Sequence, residues 1–352
     1  MSDKNTFVIL SPGFPESEHD STCLPMQQSF VKVMARMYPS IRIVVLSFQY
    51  PYHRNTYRWF DVKVIPFNGR NRGGLTRIRL RKQIDAALTA IHNERPIAGI
   101  LSFWTNECAW TGKKFANQQR LSHYSWILGQ DAKKENKYPQ RLKFQSEELI
   151  ALSDFSQDKF EENHHVKPGF VIPPGIDPEL FSKESSARDI DLLAVGSLIE
   201  LKQYPVFLEV VARVKRSMPA IRAVLVGKGP EERKLRQLLQ ALDLQNNLTV
   251  TGELPHPEVL RLMQRTRVLL HPSSYESFGC VCLEALAAGA GVISFCKPMS
   301  GLIQNWYIVG NAEDMTTKAF EILEDPPQQY EPVVPFTMED TVARIASLYG
   351  LK

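Results

Sequence analysis

Short runs rich in Val, Ile and Leu recur along the chain, separated by longer stretches whose apolar residues fall at helical spacing. The first half opens with a predicted strand "TFVIL", a glycine loop "SPGFPESEHDSTC" around Gly13 and a helix "LPMQQSFVKVMARM". Further strands are predicted at "IRIVVLSF", "VKVIPF", "IAGILSF", "YSWIL" and "LIALS". Strands alternating with helices in this order predict a parallel, doubly wound α/β sheet.

Around "FVIPPGIDPELFSKESSARDID" prolines, a glycine and charges interrupt the pattern, which predicts a linker over 171–187. A second alternation follows, with strands "IDLLAVG", "IRAVLVG", "NLTVTG", "RVLLHP" and "GVISF". The expected organisation is therefore one α/β domain over 1–170 and another over 188–335. After the proline-rich "EDPPQQYEPVVP", a final amphipathic segment over 336–352 places Val342, Ile345 and Leu348 on one helical face that must pack somewhere.

At 352 residues the chain exceeds the size at which a single core keeps growing, which agrees with two domains. No apolar run approaches a membrane-spanning length, and "MSDKNTFVIL" lacks the layout of a secretory signal, so the expected location is the cytoplasm. The five cysteines show no CxxC spacing, and neither zinc nor a disulfide framework is expected. The net charge of +4 hides an asymmetry. Up to Lys167 there are 24 basic and 16 acidic residues; after it, 18 and 22.

Candidate chemistry concentrates in "HPSSYESFGCVCLEALAAGAG", His271 to Gly291. The turn "SYESFG" leads from the carboxyl end of a strand into a helix, where open α/β sheets bind ligands. Unpaired N–H groups and the helix dipole at such a start suit a phosphate or diphosphate, and Gly279 lets it come close. Glu284 is placed to reach ribose hydroxyls, and Glu276 the far end of the same ligand. The residues equally fit a plainer arrangement, with Glu276 offsetting the dipole and Glu284 solvated. "VGSLIELKQY" and "LVGKGPEERKL" add Gly196 with Lys202, and Gly227 and Gly229 with Lys228, after two other strands of that sheet.

With these motifs assembled, the chain resembles the retaining glycosyltransferases of family 4, through "ESFGCVCLEALAAG" with its glutamate, seven residues and glutamate, and through "VIPPGID", "VGSLIELK", "LVGKGP" and "VTGEL". The resemblance is specific over Val171 to Ser294 and thinner before it, where the Gly13 loop, "GQDAK" and "LIALSDFS" carry it. It implies the GT-B architecture, two Rossmann-like domains facing across a cleft, with an acceptor domain first, a donor domain second and a last helix crossing back to the first.

It also implies a nucleoside diphosphate sugar of UDP or GDP type as donor, a glycan or lipid-linked saccharide as acceptor, and neither a metal nor another cofactor. Carried over by residue, Lys202 meets the diphosphate, Glu284 the ribose, and Glu276 with the Phe278 and Gly279 backbone the transferred sugar. The Cys280 and Val281 amides face the phosphate; Lys228 and Leu254 lie near the base. Ser197 stands where the family usually has an arginine, and Leu128, Gly129 and Gln130 occupy the neighbourhood of a sugar-contacting histidine, which makes Gln130 or Asp131 the substitute catalytic candidates. Asp189, Ile190 and Asp191 imitate the DxD metal motif of the other major glycosyltransferase fold but precede a strand. A nucleotide-sugar epimerase or hydrolase and a non-catalytic donor-binding subunit fit the same architecture.

Between Arg70 and Lys82 six basic residues, Arg70, Arg72, Arg77, Arg79, Arg81 and Lys82, occur without an acid and run into Leu80, Ile84, Leu88 and Ile91. Such a segment either attracts an anionic membrane or packs its apolar stripe on the sheet with its arginines solvated. The aromatic run "FQYPYHRNTYRWF" is expected to form a loop, either stacking on an acceptor or making a small satellite core. No RNA-binding signature accompanies these basic and aromatic residues, so no nucleic-acid partner is expected.

Overall fold

The computed structural model describes residues 5–182, 187–326 and 329–351. Part of the expected linker, 183–186, and two residues of the proline-rich segment, 327–328, lie outside them. The chain forms two compact units, Met1–Gly175 with Met338–Lys352, and Ile176–Thr337.

The first unit contains strands β1 (Thr6–Gly13), β2 (Arg42–Tyr50), β3 (Tyr57–Trp59), β4 (Val62–Pro66), β5 (Ile97–Phe103), β6 (His123–Ile127), β7 (Leu149–Ala151) and β8 (Phe170–Val171). They form one sheet in the order β3-β4-β2-β1-β5-β6-β7-β8, parallel except for β3 against β4. Helices α1 (Pro25–Met37), α2 (Gly74–Glu94), α3 (Glu107–Gln119), α4 (Tyr138–Leu142) and α5 (Asp154–His164) connect them. The central β1 is buried on both faces from Thr6 to Leu10, which is why it reads as a continuous apolar run instead of an alternating one.

The segment expected as an aromatic loop departs from expectation: Tyr57, Arg58 and Trp59 form the antiparallel edge strand β3. Trp59 is buried, edge-on to Phe14 at 5.0 Å, and the Tyr57 hydroxyl donates to the Pro15 carbonyl. Pairing with β4 satisfies backbone groups while the bulky rings fill a satellite core. The apolar stripe of α2, Leu80, Ile84, Leu88 and Ile91, is buried against the sheet.

The second unit contains β9 (Ile190–Val195), β10 (Ala223–Val226), β11 (Leu248–Gly252), β12 (Thr266–His271), β13 (Gly291–Ser294) and β14 (Trp306–Ile308). They make an all-parallel sheet in the order β11-β10-β9-β12-β13-β14. Its helices are α6 (Tyr204–Ser217), α7 (Glu232–Ala241), α8 (His256–Gln264), α9 (Cys280–Ala287) and α10 (Ala312–Glu324). Asp189 and Asp191 brace the start of β9: Asp189 pairs with Arg265 at 2.5 Å, and Asp191 accepts from the Arg222 amide at 2.8 Å.

The last helix, α11 (Met338–Leu348), belongs to the first unit and packs on α1. Val342 and Ile345 are fully buried and Leu348 half-buried, Glu339 meets Arg36 at 2.9 Å, and the Tyr349 ring stands edge-on to Phe7 at 4.8 Å.

Candidate functional site

Because every strand of the second sheet is parallel, the loops after β9, β10, β11 and β12 leave from one edge. Backbone hydrogen bonds tie them together. The Gly196 amide donates to Val226 O at 3.0 Å, Gly227 to Gly252 O at 2.9 Å, Leu198 to Lys228 O at 3.0 Å, and Ser274 to Leu201 O at 3.0 Å. Gly227 has φ +148°, and a Cβ there would lie 1.9 Å from the Gly196 carbonyl oxygen, so a side chain would force the two loops apart.

The Ser274–Leu201 bond fixes the β12 loop against the turn that presents Lys202. Consequently Lys202 Nζ forms a salt bridge with Glu276 Oε1. The same carboxylate oxygen lies 3.1 Å from Nε2 of His271, the buried last residue of β12. Burial pushes the Glu276 carboxyl up, but the His271 hydrogen bond and the Lys202 charge outweigh it and hold the group at about 2. Burial pushes His271 down against the pull of Glu276, leaving a neutral ring. A carboxylate has no proton to give, so His271 donates. Lys202, with three N–H donors and one used on Glu276, keeps donors for an incoming anion.

Gly279 begins α9 at φ +84° and ψ 63°, a left-handed conformation, and no side chain caps the helix. Phe278, just before it, is buried edge-on to Trp306 and Phe336, so its ring anchors the turn. Cys280 and Val281 occupy the first turn and are half-buried; burial and the charges of Glu284 and Glu276 push the Cys280 thiol up to about 12, which keeps it protonated. One turn on, Glu284 Oε1 lies 2.7 Å from His256 Nε2 at the start of α8. Ser197 and Lys228 are exposed in their loops, and Leu254 is half-buried.

The second unit thus brings Ser197, Lys202, Lys228, Leu254, Glu276, Phe278, Gly279, Cys280, Val281 and Glu284 to one sheet edge. Gly13 and Asp131 belong to the first unit, Gly13 as the last residue of β1 and Asp131 in a short turn after β6. Asp131 is buried and pushed up by that burial; its oxygens accept from the Thr105 amide and hydroxyl, both at 2.9 Å, and from the Gly129 amide at 2.8 Å. Three donors on one carboxylate brace the β5 and β6 loops. Gln130 beside it is exposed.

Three residues carried no role in the sequence: His256, His271 and Tyr204. The Tyr204 hydroxyl is buried without a hydrogen-bond partner and would lie 2.8 Å from a Cβ at Gly196. His271 stands five residues before Glu276 in the same segment and was open to notice there; His256 and Tyr204 meet the site only through folding. Among the described residues no group of three or more His, Cys, Asp or Glu side chains is placed to hold a metal ion.

Residues 164–330 match the family described as "Glycosyl transferases group 1". Among curated proteins the chain is 32% identical over 127 residues to the gpi3 subunit of the phosphatidylinositol N-acetylglucosaminyltransferase of Schizosaccharomyces pombe, covering 35% of this chain and 28% of that protein. It is 27% identical over 179 residues to the glycogen synthase of Mycobacterium tuberculosis, covering 49% and 43%. The matches therefore span less than half the length of these relatives. Among solved structures, the HepE protein of Anabaena with UDP and glucose superposes with a TM-score of 0.72 at 16% identity, covering 97% of this chain and 98% of that one. The sucrose-phosphate synthase of Thermosynechococcus elongatus gives a TM-score of 0.69 at 16% identity, covering 98% of this chain and 95% of that one. These superpositions show a shared fold, two Rossmann-like α/β units with the last helix belonging to the first.

Proposed function

We propose that this chain is a retaining glycosyltransferase of family 4 that moves a hexosyl group from a nucleoside diphosphate sugar, of UDP or GDP type, to a glycan or lipid-linked saccharide. The observation that carries the reading is the Lys202–Glu276 ion pair beside the uncapped start of α9. One cationic side chain and a row of helix-start amides converge where a diphosphate would sit, and a carboxylate held ionised stands next to them. The names of relatives and of the superposed structures, which include sugar transferases and UDP complexes, support the same reading.

Loss of the nucleoside diphosphate builds negative charge on phosphate and positive charge on the sugar. Lys202 and the Gly279–Val281 amides meet the first, and ionised Glu276 the second and the sugar hydroxyls. Donors fixed before the reaction lower the barrier because they need not reorganise as charge develops. These groups supply the positive charge without a metal. Attack from the leaving-group side, with the phosphate taking the acceptor proton, needs no protein nucleophile. Glu284, oriented by His256, takes the ribose hydroxyls.

The test is incubation with UDP- and GDP-linked hexoses and a panel of carbohydrate acceptors, with the anomeric configuration of the product read by NMR. An α-linked product from an α-linked donor is expected. Tight donor binding without transfer to any acceptor would assign a binding subunit instead, and a nucleotide located away from the Lys202–Glu276 edge would overturn the site.

A further inference from the structure

The first turns of α2 carry two large apolar side chains in water: Leu75 is 84% exposed and Ile78 54%. At roughly 100° per residue, Leu75, Ile78, Arg79 and Lys82 share one stripe, opposite the buried stripe of Leu80, Ile84, Leu88 and Ile91. The core therefore accounts for one apolar face of this helix and leaves the other uncovered.

The basic residues divide in the same way. Arg81 Nε pairs with Glu107 at 2.8 Å, and Arg77 lies 3.9 Å from the same carboxylate. Arg79 and Lys82 are exposed beside the apolar pair, and Arg70 and Arg72 are exposed in the loop before it. The first turn of α2 has no acidic residue and no side-chain cap. Cations thus crowd the end of the helix whose dipole is already positive, an arrangement that an anionic partner relieves. Tyr52, 59% exposed, adjoins them, with the Arg70 guanidinium 5.0 Å over its ring.

We propose that this face docks the protein on an anionic lipid bilayer. Leu75 and Ile78 enter the boundary between headgroups and acyl chains, and Arg70, Arg72, Arg79 and Lys82 meet the lipid phosphates. No helix among the described residues is long and apolar enough to cross a membrane, so the contact is peripheral. A nucleic acid would satisfy the cations but offer nothing to exposed Leu and Ile; the aliphatic pair decides for lipid.

The test uses the whole chain in sedimentation with vesicles of pure phosphatidylcholine and of equimolar phosphatidylcholine and phosphatidylserine. Binding to the anionic vesicles alone, lost as salt is raised, is expected. Leu75→Ser with Ile78→Ser, and separately Arg79→Glu with Lys82→Glu, should each weaken it by about tenfold or more. All four positions are exposed, and unchanged melting temperatures would show that the variants fold. They leave the donor site untouched, so transfer to a soluble acceptor should be unchanged, and failure here would not bear on the proposed activity. Absence of binding to anionic vesicles at low salt, binding unmoved by the serine variant, or retention on a single-stranded RNA with no lipid binding would each overturn the proposal.

Discussion

His256 Nε2 lies 2.7 Å from Glu284 Oε1, so the first residue of α8 orients a carboxylate presented by α9. Burial pushes His256 down, but its hydrogen bond and charge interaction with Glu284 outweigh this and raise it above the ordinary 6.5. A group raised on folding contributes stability that is fully present below its unfolded pKa and is lost as pH rises through the folded value. The melting-temperature advantage of the wild type over His256→Ala should therefore be largest below pH about 6.5 and shrink above it. An advantage independent of pH would show that the pair is not ionised.

The Lys202–Glu276 pair should separate stability from activity. Glu276→Ala and Lys202→Ala are each expected to reduce turnover by about a hundredfold or more, ~2.7 kcal/mol. Each single variant also leaves a largely buried partner uncompensated. The double variant Lys202→Met, Glu276→Gln should recover stability lost by the singles without recovering turnover. Chemical denaturation beside steady-state rates checks this.

Tyr204→Phe removes a buried hydroxyl that has no partner. Without nucleotide the variant should be as stable as the wild type or more stable by about 1 kcal/mol, since an unsatisfied buried group is costly. If the hydroxyl is completed by the donor, affinity for nucleotide should fall by about fivefold, within the usual range for one hydrogen bond. Thermal shifts with and without UDP measure both.

Gly227→Ala places a Cβ 1.9 Å from the Gly196 carbonyl oxygen at φ +148°. Strain of this kind is expected to cost about 1–3 kcal/mol or more and to displace the loop carrying Ser197 and Lys202. Reduced denaturation midpoint together with weaker nucleotide binding is the expected outcome.

Asp131→Ala should act on stability. It removes the acceptor of three hydrogen bonds from Thr105 and Gly129, and the loss at fully buried Thr105 alone costs about 1–3 kcal/mol. A large loss of turnover with unchanged stability would return Asp131 to a direct part in the chemistry.

By itself the sequence determined the alternation of strands and helices, because a strand buried on both faces must be a short apolar run and a helix on a sheet must repeat its apolar residues every three or four positions. It also marked the turns after β9 and β10 and before α9, since Gly196, Gly227 and Gly279 stand where the backbone must bend sharply or lie close to its neighbour. It misplaced Tyr57–Trp59, whose strand character comes from pairing with β4 and not from its own pattern. Tertiary structure alone decided which side chains meet. Lys202 reaches Glu276, 74 positions away, and His256 reaches Glu284, 28 away, because parallel strands bring their carboxyl ends to one edge whatever their separation in the chain. The same folding put the periodic stripe of α2, Leu80, Ile84, Leu88 and Ile91, against the sheet and left Leu75 and Ile78 outside, because only the packed sheet decides what a helix's apolar face meets.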